Sequence, residues 1–172
     1  MGKHGNLSAV KYKLLHSTHP KWFCGHMDVD TAMEIAELMC KHPTFTLLDY
    51  GCGKGYQYLA ARMHNYWGGL LPVCYDPGVP LLSIKPSGEF DGIICTDVLE
   101  HIPEGELDEV LDEIVGYVNP GGFIYFKIST AESRKVDDDG RNLHVTVRLE
   151  EWWKKRIASH ITLATVVVKC TQ

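Results

Sequence analysis

A chain of 172 residues can bury one sizeable core but is too short for two ordinary domains, so a single domain spanning 1–172 is expected. With 45% hydrophobic and 23% charged residues, and no apolar run near the length of a membrane span, the composition excludes both a disordered chain and an embedded one. The net charge of −5 offers no basic footprint for a phosphate backbone, which disfavours nucleic acid as a partner.

The N-terminal stretch is basic but has neither the apolar core nor the small-residue cleavage site of a signal peptide, so a cytoplasmic location is expected. Residues 1–27 read as a polar N-terminal arm, with His16, His19, Trp22, Phe23 and His26 gathered around Pro20 and Gly25. Apolar positions 32, 33, 35, 36, 39 and 40 trace a helix from an N-cap at Thr31, with Glu34 three residues on, to about His42; Pro43 stops it. Thr44–Tyr50 is β-branched and apolar, runs into GCGKG, and is followed by a helical stretch from Tyr56 to about Tyr66. LLPVCYD forms a second strand ending at Asp76, and FDGIICTDVLEHI a third centred on Ile93–Cys95. Pro103 opens a helix whose Leu107, Val110, Leu111, Ile114 and Val118 follow the helical stripe. Asn119-Pro-Gly-Gly then turns into the strand GFIYFKIS, residues 130–143 read as a polar loop, and a helix over 150–158 and a strand over 161–169 close the chain. The six cysteines are scattered without a CxxC pair, which argues against a zinc ribbon.

Alternating strands and helices with near-continuous apolar strands predict an α/β fold, a Rossmann-like and mostly parallel sheet with helices on both faces. Ligands in such sheets bind beyond the carboxyl ends of the strands. Asp49 with the glycines, Asp76, and Thr96 with Asp97 all fall at those ends. In D-Y-G-C-G-K-G the glycines at 51, 53 and 55 allow close backbone approach to a ligand, and Asp76, about twenty residues on, is placed to accept from both hydroxyls of a ribose. The spacing GxGxG departs from the GxGxxG of dinucleotide folds and lacks the Walker lysine context. The carboxylate of Asp49 beside the loop disfavours a pyrophosphate and favours the ammonium and sulfonium of S-adenosylmethionine.

LLDYGCGKG, CYDPG, FDGIICTDVLEHIP and VNPGGFIYF together resemble the core motifs of class I S-adenosylmethionine-dependent methyltransferases over residues 44–129. CYDPGVPLL and GRNLHVTVRLEEWW resemble a group of small bacterial and phage members. The resemblance implies that Asp49, Tyr50, Gly51, Cys52, Gly53, Gly55 and Tyr56 surround the methionine portion. It puts Asp76 and Pro77 at the ribose, and Thr96, Asp97, Val98 and Leu99 beside the adenosine and sulfonium. S-adenosylhomocysteine would be the product. Only 13 residues separate Asp76 from Phe90, too few for the usual helix and third strand, so the sheet is expected to lack that strand and helix and the adenine contact that follows them.

On the acceptor side, the chain has no NPPY or DPPY after the third strand and no Pro-Cys nucleophile. A small molecule or a nucleotide is the favoured acceptor, and the oligomeric state is open. His144 is the candidate catalytic base. Glu100 and His101 with His144 resemble the carboxylate and histidine set of small-RNA 2′-O-methyltransferases, but the second His of that family's HxxxH is missing, and no metal site is predicted. Asp97 and Lys127 resemble part of the tetrad of another 2′-O-methyltransferase family, although a salt bridge at the sheet edge is the plainer expectation. Besides an S-adenosylmethionine-dependent methyltransferase, the alternatives are a binding module without catalysis, an RNA 2′-O-methyltransferase and, more remotely, a nicotinamide oxidoreductase.

Overall fold

The computed structural model describes residues 7–172; the first six residues of the expected arm lie outside the described residues. The rest of the arm is not extended. Leu7–Thr18 forms α1, followed by a loop that leads to α2, Val29–Lys41. The N-cap of α2 is Asp28 rather than Thr31, because the Asp28 carboxylate accepts from the Thr31 backbone N–H at 2.7 Å.

Five parallel strands follow, β1 Leu47–Tyr50, β2 Val73–Tyr75, β3 Phe90–Thr96, β4 Val118–Ser129 and β5 Thr165–Thr171, in the spatial order β2-β1-β3-β4-β5. The sheet is therefore parallel throughout. The NPGG segment does not precede β4 but interrupts it: Phe90 pairs with Val118 while Gly92 pairs with Phe123, so the extra residues are absorbed as a bulge.

Side chains alternate across β4 as the pleat requires. Phe123 and Tyr125 pack with Ile35 and Leu38 of α2, whereas Ile124, Phe126 and Ile128 face α4, Leu107–Val115, and α5, Glu150–Ala158. Of the two adjacent tryptophans, Trp153 is completely buried in the α4/α5 face and Trp152 is only partly covered.

The helix expected from Tyr56 to Tyr66 is shorter. Tyr56–Leu59 forms α3, Arg62 adopts a left-handed φ of 53°, and Met63–Trp67 continues as a 3-10 turn. A non-glycine residue at that φ breaks the helical hydrogen-bond run, which sequence periodicity alone does not register. Between Asp76 and Phe90 there is only a 3-10 turn, Pro80–Leu82, and loop, so β2 stands at the edge of the sheet with no third strand beyond it.

Candidate functional site

The carboxyl ends of β1, β2 and β3 open into one cavity of about 480 Å³. Its floor is built by Tyr50, Gly51, Cys52 and Gly53 after β1, Asp76 and Pro77 after β2, and Thr96, Asp97 and Val98 after β3. Four residues expected there do not line it. Asp49 is buried beneath the glycine loop, Gly55 only caps α3, Tyr56 is half-exposed, and Leu99 is buried in the core.

The glycines have separate reasons. At Gly51, with φ of 81°, a Cβ would meet Val98 Cγ2 at 2.4 Å. At Gly53, with φ of 59°, it would meet the Phe23 carbonyl oxygen at 2.4 Å, so this glycine serves the approach of the arm. Asp76 clamps the loop from the far side. Its Oδ2 accepts from Gly53 N–H and its Oδ1 from Gly78 N–H, both at 2.8 Å. Burial raises the Asp76 carboxyl against the lowering effect of these donors.

Beneath the loop, Asp49 accepts from Tyr58 O–H at 2.7 Å and from Gln57 Nε2 at 2.9 Å. Burial nevertheless pushes its carboxyl up to about 6, and neighbouring Asp76 adds to the rise. Because Gln57 Nε2 donates to both Asp49 and the Cys52 carbonyl, the amide is held in one orientation. Its Oε1 is buried at the cavity wall and has no hydrogen-bond partner among the described residues. Gln57 carries no signal in the sequence, because its significance lies in a partner eight residues away across the loop.

The fourth wall comes from the arm, which the sequence does not mark as part of the site. Ser8, Ala9, Tyr12 and His16 of α1, with Phe23, Gly25 and His26, close the cavity over Asp76 and the glycine loop. α1 packs so closely on the segment after β2 that a Cβ on Gly78 would lie 3.0 Å from His16 Cδ2 and 3.1 Å from Tyr12 Cβ. It thus covers the side left open by the absent third strand, facing Ile102 and Val110 across the cavity. Burial holds the His16 imidazole down to about 4, so it is neutral near pH 7. Lys54 does not point to solvent: its ammonium donates to the carbonyls of Pro20 and Trp22 and ties the arm to the loop. The Lys11–Asp137 ion pair at 2.8 Å and the contact of His19 Nε2 with Asp138 Oδ1 at 2.7 Å join the arm to the loop at 130–143.

Asp97 has a left-handed φ of 56° and opens toward the cavity, where enclosure raises its carboxyl while Lys127 and His26 pull it down. The Lys127 ammonium does not pair with the Asp97 carboxylate as a sheet-edge salt bridge; it donates to Asp28 and to Thr31 at the start of α2, and the two residues are joined through the Asp97 backbone N–H, which donates to the Lys127 carbonyl at 2.8 Å. Glu100 is fully buried, and burial with the charge of Asp97 pushes its carboxyl up to about 8. Desolvation lowers the half-buried His101 imidazole to about 4. His144, the predicted base, does not line the cavity. It stands behind His101, which does, with the ring centroids 4.8 Å apart. Its backbone N–H donates to Asn142 Oδ1 at 2.8 Å, which orders the loop end.

The model of one family, the Methyltransferase domain, matches residues 26–166 of the chain. No curated protein matches it. Among the described residues, no helix is long and apolar enough to cross a membrane.

Proposed function

The chain belongs to the Methyltransferase domain family, and from that premise we propose that it transfers the methyl group of S-adenosylmethionine to a small acceptor held in the same cavity. When bound, the donor supplies an electrophilic methyl on sulfonium, and the chain's own task is to bind, align and exclude water. The observation that carries this reading is the set of acceptor atoms converging on one cavity. The Asp76 carboxylate is at the ribose end, and the orphaned Gln57 Oε1 above buried Asp49 is at the other.

The residues present fit the donor. Gly51 and Gly53 leave the backbone bare where a side chain would fill the cradle. Gln57 Oε1 accepts from the amino-acid ammonium, and Asp49 supports that charge from one layer below. Pro77, Val98, Ile102 and Val110, with Ala9 and Tyr12 of α1, form the apolar slot that receives the adenine in place of the missing strand. A small acceptor is favoured because the arm and Lys135 of the 130–143 loop, which the Lys11–Asp137 ion pair joins to the arm, wall the cavity beside the glycine loop.

Calorimetry is expected to give a micromolar Kd for S-adenosylmethionine or S-adenosylhomocysteine, roughly −7 to −8 kcal/mol, with NADH and ATP at least about tenfold weaker. Tighter NADH binding would overturn the proposal. A screen with radiolabelled donor across metabolite, nucleotide, RNA and protein pools then identifies the acceptor.

The raised Asp49 carboxyl also sets a pH dependence. Its folded pKa of about 6 lies above the ordinary value of 3.8, so the folded protein holds the proton more tightly than the unfolded chain. The group therefore causes no loss of stability below the ordinary value, and its burial cost develops as pH rises toward and through 6. Cation binding acts in the opposite sense, since only the ionised form attracts the donor. Affinity should rise about tenfold from pH 5 to pH 7, with proton release on binding below pH 6. Asp49→Asn should flatten that profile, and a profile that stays steep in the variant would assign the titration to another group.

A further inference from the structure

Glu100, His101 and His144 meet where the short turn after β3 touches the end of the 130–143 loop, and their ligand atoms lie within 4.8 Å of one another. Both imidazoles are fixed from behind. His101 Nδ1 is 2.9 Å from the Leu143 carbonyl oxygen, and His144 Nδ1 is 2.6 Å from that of Ala131. A carbonyl only accepts, so each Nδ1 carries the hydrogen and each Nε2 presents a lone pair. Glu100 Oε1 accepts from Ser129 N–H at 2.9 Å, while Oε2 of this fully buried side chain has no hydrogen-bond partner among the described residues.

The hydrogen bonds that fix these side chains supply no donor between them, so near pH 7 the hydrogen available there is the proton held by the raised Glu100 carboxyl, which a bound cation would displace. Such a cluster is compensated by a cation at its centre. We propose that Glu100, His101 and His144 bind one divalent first-row cation through Oε2 and the two Nε2 atoms. Two imidazoles and a carboxylate suit zinc, cobalt or manganese in preference to the all-oxygen ions calcium and magnesium. Atoms held at ~2.1 Å from one ion stand ~3 to 4 Å apart, so side-chain torsions of about an ångström complete the set.

Three protein ligands leave coordination positions open. His101 is the ligand that lines the cavity, next to Asp97 and Val98, so the ion lies at the cavity wall. Arg148, four residues beyond His144 in sequence, turns away to Glu104 at 2.6 Å and adds no ligand. The open positions take an oxygen of the acceptor, which makes a hydroxyl-bearing small molecule the class of substrate. That substrate class rests on the methyl-transfer reading; cation binding does not. The ion also gives His144 a different part from that of a base, since its lone pair is spent on the metal.

The test is a titration of the full-length, tag-free protein with Co²⁺, followed by visible absorption, and with Zn²⁺ and Mn²⁺ by calorimetry. One equivalent is expected to bind, with His144→Ala and His101→Ala each weakening Co²⁺ by about 10- to 100-fold or more. Glu100→Gln should behave the same; if it fails to fold, the half-buried His144 variant carries the test. Arg148→Ala should stay within about twofold of the parent. Absence of saturable Co²⁺ binding up to millimolar concentration, or binding that survives His144→Ala, overturns the proposal. S-adenosylmethionine titrated into metal-free protein separates the two readings: normal donor binding without any cation binding removes only the metal site, and cation binding without donor binding removes only the methyltransferase reading.

Discussion

Asp76→Ala is expected to weaken S-adenosylmethionine binding by about 1.5 to 3 kcal/mol, or roughly 10- to 150-fold, the range for hydrogen bonds to a charged group. The carboxylate has two tasks. It orders the loop by accepting from Gly53 and Gly78, and it lines the cavity where ribose hydroxyls would be received. Truncation leaves both N–H groups without their partner, so some stability is lost as well. Calorimetry well below the variant's melting temperature, with circular dichroism at the same temperature to check folding, separates the two effects. An affinity within about twofold of the parent in a folded variant would show that the ribose acid lies elsewhere. Asp76→Asn should fall between, because one amide oxygen can still accept from one of the two glycines.

Trp153→Ala should destabilise the fold by about 3 to 5 kcal/mol, the range for truncating a buried aromatic side chain. The indole is completely buried between α5 and the sheet face formed by Phe126 and Ile128. Its removal leaves a void that residues in a strand and a short helix cannot collapse to fill. For a domain of this length the corresponding fall in Tm is on the order of 6 to 20 °C. Trp153→Phe should cost far less. The indole Nε1 has no hydrogen-bond partner among the described residues, so the exchange forfeits volume but no paired polar group. A loss under about 1 kcal/mol for Trp153→Ala in a reversible thermal melt would contradict the packing described.

The parallel sheet, the order of its strands with helices between them, and the positions of Asp76, Gly51 and Gly53 were all legible in the sequence. Each depends on local chemistry: β-branched apolar runs, glycines where φ is positive, a carboxylate at a strand end. The α4 stripe was equally plain over Leu107, Val110, Leu111 and Ile114, which are spaced by the helix itself and are all buried, whereas Val118, read as its continuation, is the first residue of β4. The absence of a third strand followed from chain length between Asp76 and Phe90, a geometric limit no packing can evade.

What the tertiary structure alone decided concerns partners far apart in sequence. Asp49, expected beside the ligand, lies beneath the glycine loop, and Gln57, held by Asp49 and Cys52, lines the cavity above it. Lys127 joined Asp28, 99 residues away, because the start of α2 comes over the end of β4. The polar arm became α1, a wall of the cavity where the shortened sheet leaves an open side. The grouping of His144 with Glu100 and His101, which the sequence offered only through a resemblance, is brought about by the return of the loop after β4. Propensity and spacing act over a few residues. Which polar atom is left unpaired, and against what, depends on the closure of loops tens of residues long, and only the packed chain determines that.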